Sequence, residues 1–90
     1  MNQGFRDWCI EQVMEQLKQL DSDSKQKFLR RLKFESDKVL QTISEGIHSW
    51  SMIYLVHSQE ILHVDFKDDP KEILSALQEH FAAEMAAITE

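Results

Sequence analysis

Tyr54, His63 and Asp65 come nearest to a chemical constellation in this 90-residue chain. If Trp50–Val56 and Ile61–Lys67 pair as a β-hairpin with an even-numbered loop, Tyr54 lies across from His63, and Asp65 shares the strand face of His63. An ordinary outward sheet face explains that Tyr-His-Asp patch better than a reaction does. His48, His57 and His80 are scattered over other segments, and no His-Glu-x-x-His or paired Cys/His spacing of a metal site can be written. The lone Cys9 belongs to an apolar stripe with Asp7 and Glu11 near it in sequence, a setting that raises a thiol pKa and quiets the sulfur. Asp21-Ser22-Asp23 resembles the opening of a calcium loop, but Gln26 stands where glycine is needed and Leu32 where a bidentate acid is needed. Asp68 and Asp69 precede Pro70 and suit helix capping better than paired acid–base work. Gly4 and Gly46 are too far apart for a phosphate-cradling loop. No catalytic, metal or cofactor residue is assigned, and an enzyme is not expected.

Binding chemistry is better represented. Lys25, Lys27, Arg30, Arg31 and Lys33 are half of the ten basic residues, with no acid among them. The rest of the chain sets five bases against sixteen acids, a net −11 within an overall −6. On a helix advancing about 100° per residue, Lys27, Arg30, Arg31, Phe34, Lys38 and Gln41 share one face, opposite the apolar stripe. Arginines there suit bidentate contact with carboxylates or phosphates, and Phe34 suits a partner's pocket. Charge alone also permits a bland reading, a solvated face whose cations offset acids elsewhere. Trp8 departs from the stripe of its own helix, so it is either an exposed anchor or a ring folded back on the core.

The elements that must position these residues follow from periodicity. Phe5, Cys9, Ile10, Val13, Met14, Leu17 and Leu20 share half a wheel, so Asp7–Leu20 is expected to be an amphipathic helix. Asp21–Ser24 interrupts it, and Asp23 with Gln26 resembles a capping box opening a second helix. That helix has the stripe Phe28, Leu29, Leu32, Val39, Leu40 and Ile43, and Gly46 is expected to end it in a left-handed turn. Trp50–Val56 is rich in aromatic and β-branched residues, and Ile61–Lys67 alternates, so both are expected to be strands of an antiparallel hairpin. Asp69-Pro70-Lys71-Glu72 then opens a last helix, whose apolar arc is Ile73, Leu74, Leu77, Phe81, Met85 and Ile88.

The expected fold is therefore a single α+β domain over 1–90, in the order α-α-β-β-α. Two strands alone are marginal in water, and Trp50, Met52, Tyr54 and Val56 are candidates for a far sheet face completed by a second copy or another protein. With 42% apolar residues and a single proline, the chain is expected to fold, and no apolar run approaches the ~18 residues of a membrane span. With one cysteine and no leader, the expected compartment is the cytosol.

Three functions are compatible with these features. The leading expectation is a non-catalytic regulatory or adaptor module, a homodimer if two hairpins join into one four-stranded sheet, that binds an acidic protein surface through Lys27, Arg30, Arg31, Phe34 and Lys38, with Trp8 as a further anchor. The second is nucleic-acid binding by the same strip, which the −11 elsewhere opposes. The third is a small-ligand binder or enzyme on the outer sheet face, which needs a pocket.

Overall fold

The apolar spacing of the first segment becomes a helix, α1 (Phe5–Lys18), in the computed structural model, which describes residues 4–58 and 69–89. α2 (Ser22–Phe34) starts where Asp21 takes extended backbone and its carboxylate accepts the Ser24 N–H at 2.8 Å, so the cap is Asp21 and not Asp23. α3 (Ser36–Ser58) is the longest element, followed by α4 (Asp69–His80) and the short α5 (Ala82–Ala86). α4 and α5 nearly form one rod: the Phe81 N–H donates to Leu77 O and the Met85 N–H to Phe81 O, across a single bend at Phe81.

The α+β expectation is corrected. The described residues form five helices and no strand. Trp50–Val56 is the end of α3, while Ile61–Lys67, the other half of the expected hairpin, lies outside the described residues, as do His63 and Asp65. No described strand exists for a second copy to extend. The physical reason is periodicity: Val39, Ile43, Ile47, Trp50 and Tyr54 repeat at helical spacing straight through the segment, and that repeat outweighs the β-leaning composition of its last turns. A strand would place Met52, Tyr54 and Val56 on one face. Here Tyr54 is buried at 3% exposure whereas Met52 is 55% and Val56 78% exposed, the opposite-side arrangement that a helix dictates.

Gly46 does not end a helix; it sits in the middle of α3. The expected single helix from Ser24 to Gly46 is instead broken at Glu35, whose backbone (φ −132°, ψ 46°) leaves the helical region. The Glu35 N–H closes α2 on Arg31 O, and Glu35 O receives the N–H groups of Lys38 and Val39 to open α3. Glu35-Ser36-Asp37, residues that favour helix starts, mark this corner.

The helices surround one core, to which α5 adds only the partly buried Met85, and Ile88 beyond α5 closes it. Cys9, Leu29, Leu32, Ile73 and Leu77 are essentially inaccessible, with Phe5, Leu17, Tyr54, Phe81 and Ile88 around them. α4 packs on α1 and α3, while α2 lies between α3 and α5. Ser51 is the one buried polar residue of the described set, and its hydroxyl donates to His48 O at 2.6 Å.

Candidate interaction surface

α2 has two polar edges with different partners. On one edge, the Lys33 ammonium donates to Met85 O at 2.8 Å and Ile88 O at 2.7 Å, and Arg30 Nη1 donates to Thr89 O at 3.3 Å. These carbonyls belong to the end of α5 and the residues after it, where helical partners run out. Half of the cationic run's arginines and one lysine thus hold the chain's own C-terminal segment.

The other edge is open. Lys27 and Arg31, one turn apart, are exposed, and their side chains have no hydrogen bond or ion pair among the described residues. Phe34, three residues after Arg31, is 42% exposed, with the Lys33 ammonium 5.2 Å from its ring centroid. Lys38 sits across the Glu35 corner and pairs with the Glu35 carboxylate at 2.7 Å, which raises its pKa above the ordinary value; both groups face water. Gln41 lies on α3, beyond the Glu35 corner, and its side-chain amide donates to Glu45 at 3.1 Å.

Trp8 is half-buried. Its ring centroid lies 5.6 Å from that of Tyr54 and 6.3 Å from that of Phe5, and the three aromatics tie the start of α1 to the end of α3. Of the expected sheet-face residues, Tyr54 is core, Trp50 is half-buried, and Met52 and Val56 are exposed together with Ile53. Met52, Ile53 and Val56 form an apolar ridge on the last turns of α3. The Tyr-His-Asp patch loses its geometry, since Tyr54 is buried and the other two members lie outside the described residues.

A groove that sequence reasoning treats only as core stripe opens beside α2. It holds about 400 Å³ and is lined by Val13, Gln16, Leu17 and Leu20 of α1 and its exit, Phe28 of α2, Val39, Thr42, Ile43, Gly46 and Trp50 of α3, and Leu77 of α4. No lining residue is charged, although the chain as a whole carries −6. Gly46 contributes to its depth: a Cβ built there would meet nothing within 4 Å. Arg31 follows Phe28 by three residues and is its neighbour on the helix surface, so the open cationic edge of α2 flanks the groove. The glycine inside a helical repeat is the one sequence signal that points to this opening.

A second depression, between α1 and α4, holds about 410 Å³ and is different in kind: Arg6, Asp7, Lys71, Glu72 and Glu79 mix both signs along it, and Arg6 bridges to Glu72 at 3.6 Å. Among the described residues, no three His, Cys, Asp or Glu side chains converge in a way that could hold a metal ion, and no helix is long and apolar enough to cross a membrane. No protein-family model, curated protein or solved structure matches the chain.

Proposed function

We propose that this chain is a non-catalytic interaction module of the cytosol that docks on an acidic surface of another protein through Lys27, Arg31 and Phe34. The observation that carries the reading is the contrast between the two edges of α2. Arg30 and Lys33 are engaged with backbone carbonyls of the chain's C-terminal segment, whereas Lys27 and Arg31 present unpaired cations beside an exposed aromatic ring. Unpaired cations on an acidic molecule favour an acidic partner, and an aromatic among them supplies apolar contact area of the kind that anchors interfaces. Nucleic-acid binding draws less support, because the cations left over are few and the surrounding net charge is negative.

Affinity capture with wild type and the variant Lys27→Glu, Arg31→Glu, Phe34→Ala tests this, each bait with and without nuclease. Arg30 is left intact because it holds Thr89 O. A protein retained by wild type after nuclease and lost by a variant with unchanged circular dichroism is the expected result. Equal recovery by both baits removes the strip from function, and capture that disappears with nuclease replaces this reading with the nucleic-acid one.

Self-association is a second reading, carried by the α3 ridge. Met52, Ile53 and Val56 are each more than half exposed and recur at helical spacing, a pattern that suits two-fold helix packing against the same ridge of another copy. Sedimentation of wild type and Val56→Glu checks it: a dimer that becomes a monomer is expected, and a monomeric wild type at tens of micromolar contradicts it.

A further inference from the structure

We infer that the groove between α1, α2 and α3 seats an amphipathic helix from a partner protein, with that helix's apolar edge in the groove and its acidic flank against Arg31 and Lys27. The inference rests on the proposed role of the α2 strip and adds the shape of the partner to its charge. Leu20 is 43% exposed at the rim, Trp50 and Phe28 are half-buried in the walls, and the space above Gly46 is open, so large side chains can enter. An extended peptide adds to a sheet edge, and no strand is present among the described residues. A groove walled by helices suits a helix with anchors at i, i+3 or i+4, and i+7. The uncharged lining excludes partner charges from the floor, while Arg31 and Lys27, and Lys25 three residues before Phe28, are cations beside it without a hydrogen bond or ion pair among the described residues, which places the acids of the partner on that side.

A second copy is a weaker occupant, because the exposed apolar ridge of α3, Met52, Ile53 and Val56, lies in a stretch (46–58) with no acidic residue to meet Arg31 and Lys27, and two copies at −6 repel.

The test is selection from a phage-displayed library of random peptides ~16 residues long, enough for about four helical turns. The full chain is the bait, compared with Gly46→Leu, which fills the groove while favouring helix over glycine, and with Lys27→Glu, Arg31→Glu. The expected winners carry apolar residues at helical spacing together with Asp or Glu, and the best synthetic peptide binds each variant at least about tenfold more weakly in fluorescence anisotropy. Leu20→Glu, a change at an exposed position, gives the same loss and serves if Gly46→Leu alters the fold. Acidic winners without an apolar period overturn the groove and leave the strip reading standing. Periodic winners without acids overturn the acidic flank, and the strip reading with it. Equal binding by Gly46→Leu and wild type overturns the groove assignment, and so does a wild-type dimer that Gly46→Leu dissociates, which would make a second copy the occupant.

Discussion

Replacing Lys33 with methionine keeps the aliphatic stem of the side chain and deletes the ammonium that donates to Met85 O and Ile88 O. A hydrogen bond from a charged donor contributes about 1.5–3 kcal/mol net. One of these two bonds is part-buried and the other exposed, so solvent screening places the pair together near the lower end, about 2 kcal/mol. For a domain of this size that corresponds to a fall in Tm of ~8–16 °C. Urea denaturation followed by circular dichroism measures the free energy, and hydrogen exchange locates it. The amides of α5 and residues 87–89 should exchange faster in Lys33→Met, while those of α1, which shares no bond with Lys33, should change much less. Lys33 also lies over the Phe34 ring at 5.2 Å, so Phe34→Leu is measured in parallel and the double variant separates the two effects. A loss below ~0.5 kcal/mol, or exchange that rises uniformly along the chain, would refute the view that this lysine is a tie for the C-terminal segment.

Other perturbations have equally definite outcomes. Gly46→Ala removes a glycine from the interior of α3 where a Cβ meets no atom within 4 Å, so it should raise stability by about 0.5–1 kcal/mol in the same urea assay. Tyr54→Ala opens a cavity between α1 and α3 and should cost about 3–5 kcal/mol, whereas Val56→Ala, at an exposed position two residues later, should change stability by less than ~0.5 kcal/mol; similar losses at both would contradict the helical assignment of this segment. Hydrogen bonding from the Ser24 N–H holds the Asp21 carboxyl below its ordinary value of 3.8. A pKa depressed on folding contributes stability that is present above 3.8 and is lost as pH falls through the lower folded value, so wild type should lose stability in that window more steeply than Asp21→Asn; parallel pH profiles would contradict the cap.

How much of this was legible in the sequence depends on the range of the contacts involved. α1 could be read from Cys9, Val13 and Leu17, and the α4 start from Asp69-Pro70, because a local repeat or cap specifies each. The end of α3 reads as a strand because Trp50, Ile53, Tyr54 and Val56 are strong strand formers, while the helical repeat that Trp50 and Tyr54 continue begins at Val39, eleven residues before Trp50. The exposure of Lys27, Arg31 and Phe34 followed from the wheel of α2 alone. What Arg30 and Lys33 bind did not, since their acceptors lie 59, 52 and 55 residues away. The groove is a property of how the helices diverge, and Gly46, which opens it, reads in the sequence as a helix end.

Trp50 is placed to report the acidic amphipathic helix proposed for the groove beside Arg31. With Trp8 replaced by phenylalanine, Trp50 is the sole tryptophan, and it lines the groove. Its emission is followed while two synthetic peptides are titrated in turn, identical in their leucine positions at helical spacing and flanked by glutamate in one and lysine in the other. A saturable blue shift with the glutamate peptide, at a concentration about tenfold or more below any response to the lysine peptide, is the predicted result. Equal responses to the two peptides, a preference for lysine, or no shift with either would contradict it.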